Sequence, residues 1–252
     1  MEILYIVLSI MFGLCIGSFL NVCIYRIPRE ESIVFPGSHC MKCGYELKWY
    51  DLIPVVSYIS LRGKCRKCGD RISIQYPIVE LLNAVIYLII YLEYGYSLDT
   101  LKFMVLVSFL IVIAVIDFKT MFVYTNTIIV GAVFGVIFTL VQWYTEKSFP
   151  LDNIYGALIG TVVIGAIVLV THGMGEGDIE IVAVSGLFLG AKCSIFMLFS
   201  GVVLGGIVSA IILILKLKDR KDEIAFGPYL AAGAILAVLV GNQIMNWYFS
   251  LL

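Results

Sequence analysis

The chain has 252 residues, of which 61% are hydrophobic and only 14% charged, and its mean hydropathy is +1.02. A water-soluble domain is about half apolar and about a quarter charged, so the composition excludes a soluble globular protein, a disordered chain and a nucleic-acid binder. The net charge of −1 provides no global field to steer a partner, and any electrostatic signal must be local.

Residues 3–25 form the first apolar run long enough to cross a bilayer, which takes about 20 residues as a helix. Glu2 stands where a signal peptide would be basic, and the run exceeds a signal-peptide core. It reads as a retained anchor. Residues 26–77 are a polar insertion that holds nine of the 17 Lys and Arg and four of the seven Cys. Apolar runs then resume at 78–92, 101–116, 127–143, 154–170, 179–189, 194–215 and 229–252, which makes eight with the first. The run at 179–189 is short for a full span. The expected fold is an all-α polytopic membrane protein of about eight transmembrane helices, with a small zinc-ribbon-like insertion between the first two. Its expected parts are the first helix at 1–25, the four-cysteine loop at 26–77 and a seven-helix domain at 78–252.

With eight spans, alternate loops share a side. One side holds fourteen Lys and Arg, in 26–71, at Lys119, and at Lys216, Lys218, Arg220 and Lys221; the other holds only Lys102, Lys147 and Lys192. Basic residues collect in cytosolic loops, so the cysteine loop is expected in the cytosol. Gly131-x-x-x-Gly135 and Gly201-x-x-x-Gly205 fit close helix packing, and Ser18 and Asn21 fit hydrogen bonding between helices.

Cys40-Met-Lys-Cys43 and Cys65-Arg-Lys-Cys68 are two C-x-x-C pairs, and each is followed directly by a glycine, Gly44 or Gly69. Two such pairs can close a tetrahedral Zn²⁺ site. Four thiolates leave no open position, so the metal would be structural. A redox dithiol or a metal-free loop are the alternatives; a cytosolic setting disfavours disulfides. Cys15, Cys23 and Cys193 lie in or beside apolar runs and read as packing residues.

Two acids stand where acids are costly. Asp117 ends an apolar run, and Asp178 closes Gly173-Met-Gly-Glu-Gly-Asp178 and opens the short run. Carboxylates in spans are functional by default; the alternatives are an interfacial Asp that merely marks a helix end and, at the glycines, a simple flexible turn. The glycine loop lacks the wider gap of a nucleotide-binding loop, and no strand precedes it. Both acids fall at the cytosolic ends of their runs, hence at one depth. Two carboxylates brought together share a proton, so one can activate water while the other protonates a leaving group. That is aspartic-protease chemistry, here at a membrane surface. His172 reads as a solvated loop residue, with a catalytic or metal role as the alternative.

Gly175-x-Gly177-Asp178 resembles the signature of membrane-embedded GxGD aspartic proteases. Gly17-Ser-Phe-Leu-Asn-Val22, Tyr25-Arg26-x-Pro28, the paired C-x-x-C, Trp49-Tyr-Asp-Leu-Ile-Pro54, Tyr76-Pro-x-Val-Glu80 and Phe226-Gly-Pro-Tyr-Leu230 resemble, in matching order, blocks of the bacterial type IV prepilin peptidases. The resemblance implies a bifunctional enzyme of the cell inner membrane. It implies cleavage of the basic leader of type IV prepilins or pseudopilins, and methylation of the new N-terminus from S-adenosylmethionine. By the same resemblance Asp117 and Asp178 are the catalytic pair, Gly175 and Gly177 belong to the catalytic loop, and Glu80 and Asn21 are candidate contacts to substrate or methyl donor. Nothing in composition or spacing indicates methyl transfer; that half, and its assignment to the N-terminal region with the cysteine loop, rests on the resemblance. The chain departs from the family at Glu180, where a Lys is common, and at Tyr124 and Thr125, where Pro and Asp are common. A peptidase without methylation is one alternative, and a proton-coupled transporter using Asp117 is another.

Overall fold

In a computed structural model, residues 2–171, 174–216 and 224–251 are described. His172 lies outside them, as do Lys218, Arg220 and Lys221 of the charge count. The helices are α1 (Glu2–Arg26), α2 (Val56–Ser60), α3 (Gln75–Tyr94), α4 (Leu98–Thr120), α5 (Thr125–Glu146), α6 (Leu151–Thr171), α7 (Glu176–Ile214), α8 (Gly227–Leu236) and α9 (Asn242–Ser250). A five-residue π-helical turn, Ala237–Gly241, joins α8 to α9. Among the described residues, seven helical stretches are long and apolar enough to cross a membrane. The chain divides into two compact units, Met1–Thr100 and Leu101–Leu252.

In the first unit α1 packs on α3 with backbones almost touching. A Cβ added at Gly13 would meet Ala84 Cα at 2.6 Å, and one at Gly17 would meet Glu80 Cα at 2.7 Å. This is the small-xxx-small device that membrane helices use where no hydrophobic effect drives them together. Hydrogen bonds reinforce the contact: Asn83 Nδ2 donates to Gly13 O at 2.8 Å, and Asn21 Nδ2 to Tyr76 O at 3.1 Å. Ser18 bonds the Glu80 carboxylate. The expectation that Ser18 and Asn21 link helices thus holds.

In the second unit α6 packs on α7, and α7 also packs on α5 and α8. The glycines at 131 and 135 face Val184 and Phe188, and those at 201 and 205 face Leu230 and Phe226, so both pairs serve packing. The count of seven stretches, one below the eight apolar runs, arises because the runs at 179–189 and 194–215 fall in the single 39-residue stretch α7. Gly190 breaks α7 internally, at φ +75° and ψ 173°, a conformation that strains any L side chain. The chain doubles back there. Gly227 abuts Ile181 while its neighbour Phe226 abuts Gly205, yet residues 181 and 205 would stand about 36 Å apart on a straight helix. α7 is therefore two antiparallel limbs, 176–189 and 191–214. α6 runs along the first limb, with Gly156 against Gly186 and Gly160 against Val182.

Candidate active site

Asp117 lies in the last turn of α4, the most enclosed of the spans. α4 ends at Thr120, and Met121 then takes a left-handed conformation with φ 54°. The turn that follows folds back onto the glycine loop: a Cβ on Gly177 would meet Val123 Cβ at 2.6 Å. Gly177 thus lets the segment just after Asp117 close on the residue just before Asp178. Asp178 sits in the first turn of α7, as its position after the glycines suggested. Its Oδ2 accepts the Gly175 N–H at 3.1 Å, and its own N–H donates to Gly175 O at 3.1 Å. A carboxylate here also gains from the helix dipole.

A third segment completes the arrangement. The Gly227 N–H, at the start of α8, donates to the Asp117 carboxylate. A Cβ on Gly227 would lie 2.6 Å from Asp117 Oδ2 and 3.1 Å from Ile181 Cδ1, one turn beyond Asp178. Both acids are only 5% exposed, and each lies within electrostatic reach of the other. Each carboxylate is held by one backbone amide, and the two amides come from separate helix starts. Such a pair can hold one proton between two acids and present both to a third group. Glu180 is half-buried and, among the described residues, forms no ion pair.

Gly227 was not foreseen as a site residue. Its signal is the Gly-Pro dipeptide opening the last apolar run, where proline suits the first helical turn and glycine leaves room for a neighbour.

In the first unit the four loop cysteines converge. The Sγ atoms of Cys40, Cys43, Cys65 and Cys68 all lie within 4.8 Å of one another, with Cys40–Cys68 at 3.8 Å and Cys43–Cys65 at 4.0 Å. A tetrahedron of 2.3 Å Zn–S bonds has S–S edges of about 3.8 Å, so the donor set fits Zn²⁺. The two pairs are built alike. In each, the first cysteine accepts from the glycine N–H, Gly44 or Gly69, at 2.9 Å, and a short antiparallel bridge closes behind, His39 with Glu46 and Lys64 with Arg71. Gly44 and Gly69 adopt φ of +66° and +71°, as the knuckle expectation required. The backbone N–H groups of Cys68 and Lys67 draw the Cys65 thiol down to about 6. Cys68, despite the Asp70 N–H, is pushed up to about 12 by burial and its sulfur neighbours. Crowded thiols compete to ionise, and a cation among them would remove that competition.

Asp51, also not foreseen, ties the knuckles together. It accepts from Arg66 Nε at 2.7 Å, Tyr45 Oη at 3.2 Å and Lys48 N at 3.3 Å. Burial alone would raise its pKa; Arg66, the Lys48 amide and Tyr45 overcome this and hold it below the usual carboxylate range. Its signal is a lone acid in an aromatic block between two cysteine pairs. Asn21 and Glu80 lie in this unit, apart from the acid pair in sequence, and are enclosed at 1% and 6% exposure. Asn21 bonds Gly17, Tyr76 and Gln75, and Glu80 Oε2 accepts the Val55 N–H at 2.7 Å.

A multi-pass helical membrane protein with a paired-acid centre and a separate four-cysteine module is thereby defined. The chain matches the family description "Bacterial Peptidase A24 N-terminal domain" over residues 11–94 and "Type IV leader peptidase family" over 104–210. It is 34% identical to a Bacillus subtilis (strain 168) protein named prepilin leader peptidase/N-methyltransferase, over 94% of this chain and 95% of that one. Proteins of the same name from Myxococcus xanthus (strain DK1622) and Pseudomonas putida are 33% and 31% identical, over 87% and 95% of this chain and 68% and 92% of theirs. The chain belongs to the type IV leader peptidase family. No solved structure matches it.

Proposed function

We propose that this protein is a prepilin leader peptidase and N-methyltransferase of the cell inner membrane. The relatives carry that name over almost the full chain, and the transporter alternative finds no counterpart among them. The observation that supports the peptidase most directly is the meeting of Asp117, Asp178 and Gly227 at one buried point. With one proton between them, the ionised acid takes a proton from water as it attacks the scissile carbonyl. The protonated acid delivers its proton to the departing amine. Gly175 and Gly227 hold the carboxylates in register while this occurs.

Methyl transfer is assigned to the first unit. S-adenosylmethionine is a second substrate there. Asn21 ties α1 to the start of α3 and Glu80 ties Val55 of the loop to α3, and both are kept as candidate contacts to substrate or methyl donor. Cys40, Cys43, Cys65 and Cys68 hold a structural Zn²⁺ that contributes folding energy to the loop. The charge count supports a cytosolic side for this loop and for the acid pair.

The test is a proteoliposome assay with a type IV prepilin and a methyl-labelled donor, which reads cleavage and methylation separately. Both products are expected. Cleavage without label on a pre-cleaved pilin would reduce the activity to the peptidase alone; no cleavage by folded protein would refute the proposal.

A further inference from the structure

The short helix α2 and the second cysteine knuckle have no part in either reaction as described, yet their surface is unusual. Three observations bear on it. The first is depth. The Val55 N–H donates to Glu80 Oε2 at 2.7 Å, which ties the residue just before α2 to a point five residues into α3, about 8 Å along that helix. At this level of α3 the side chains of Ile78, Leu81 and Leu82 are exposed. In a membrane span such residues face acyl chains. Glu80 itself faces α1, at Gly17 and Ser18, so the bond fixes the depth of the start of α2, level with the lipid-facing side chains of α3. Val55 is held there at φ 61°, a conformation rare for a β-branched residue.

The second is the pattern of α2. Ile53, Val56 and Ile59 recur every third residue and are all exposed, Val56 at 59% and Ile59 at 68%. Tyr58 turns the other way, its hydroxyl packing at Gly63. The exposed stripe continues at Ile74, 65% exposed, directly before α3.

The third is charge. Arg62, Lys64 and Arg71 are exposed and, among the described residues, form no ion pair, whereas Lys42 and Arg66 in the same loop pair with Asp70 and Asp51. The Lys64–Arg71 bridge and the bond from Ile72 N to Gly63 O set these cations side by side. They follow α2 directly in sequence on one side and precede Ile74 on the other.

We infer that α2 and the second knuckle form a foot resting on the bilayer, which binds anionic phospholipid headgroups of the leaflet that α3 enters. Ile53, Val56, Ile59 and Ile74 lie at the headgroup–acyl boundary. Arg62, Lys64 and Arg71 meet the phosphates. This is the division of labour of an interfacial helix, and basic residues next to a span attract anionic lipid. The cysteine module is then held by the membrane surface as well as by its own metal.

The experiment uses the full chain with Ile59→Trp as reporter and Trp49, Trp143 and Trp247 replaced by Phe, in nanodiscs whose lipids carry brominated acyl chains. In discs containing phosphatidylglycerol, reporter emission is expected to fall by about half or more. Salt at about 1 M, where the screening length is about 3 Å, should reverse most of that quenching, as should R62Q/K64Q/R71Q. A melting curve in the discs identifies a triple variant that has not folded, in which case the salt arm decides alone. Equal quenching in phosphatidylcholine discs, insensitive to salt, would overturn the headgroup assignment. A reporter unquenched in both lipids would overturn the foot. So would a reporter shielded only when prepilin is added, since the surface would then belong to a protein partner.

Discussion

The cysteine module and the acid pair hold polar groups by opposite means. In the module, side chains hold side chains: two knuckles of one design, bridged by Asp51 and Arg66, gather four sulfurs. In the acid pair, each carboxylate is fixed by a backbone amide at a helix start, and the two amides come from segments about fifty residues apart, at Gly175 and Gly227. A module of the first kind loosens piecemeal when a ligand is lost. A centre of the second kind fails through small displacements of whole helices.

The largest expected effect is at the acids. Asp117→Asn or Asp178→Asn should each lower cleavage by at least about 10²–10⁴-fold, the usual worth of acid–base catalysis, while metal content and methylation of a pre-cleaved pilin stay unchanged. Wild-type cleavage by either folded variant would remove that acid from the mechanism. Gly227→Ala comes next. Its methyl would lie 2.6 Å from Asp117 Oδ2, and a displacement of about 1 Å can cost 10²-fold. Cleavage should fall by one to two orders of magnitude with methylation spared; loss of both together would show that the helix start, rather than the acid, had moved.

Cys40→Ser tests the other region. The wild-type protein should carry one zinc per chain by metal analysis, and the variant should lose it and lose methylation at least as much as cleavage. Lost cleavage with intact methylation would invert the contrast between the two regions. Asp51→Asn should have a smaller effect, a severalfold faster tryptic cleavage of the loop at neutral pH. The sign with pH follows from its lowered pKa. Ionised Asp51 stabilises the fold fully above the unfolded value near pH 4, and that contribution disappears as pH falls through the folded value, so variant and wild type should converge in acid. Lys42→Gln should change little, because the Lys42–Asp70 pair is exposed on both sides and solvent screens it.

This contrast also governs what was legible in the sequence. The cysteine site was readable because its geometry is local: C-x-x-C with a following glycine encodes a knuckle wherever it occurs. The apolar runs were readable because a bilayer imposes a length. Asp117 and Asp178 stood out through the cost of an acid in a span, but their meeting depended on contacts that periodicity does not carry. Val123 packing on Gly177 and the Gly227 amide reaching Asp117 are such contacts. Gly13 and Gly17, which set the close helix approach in the first unit, share the small-xxx-small spacing, but that spacing does not say which helix is the partner. Gly190 illustrates the same limit. Lys192 separates the runs at 179–189 and 194–215, and the alternation of loops already places a reversal between them, but nothing in hydropathy singles out Gly190 as the residue where the chain turns.

That reversal has a consequence for the bilayer. The limb 176–189 spans only about 21 Å at helical rise, against a hydrocarbon core of about 30 Å. Its far end is fixed, since Gly190 lies against Asp152 at the start of α6. The deficit therefore falls at the Asp178 end. Mismatch of this kind is relieved by local thinning of the membrane, which would form a dimple of water over the paired acids. A scissile peptide bond at the mouth of an apolar helix could meet water there without the helix leaving the lipid.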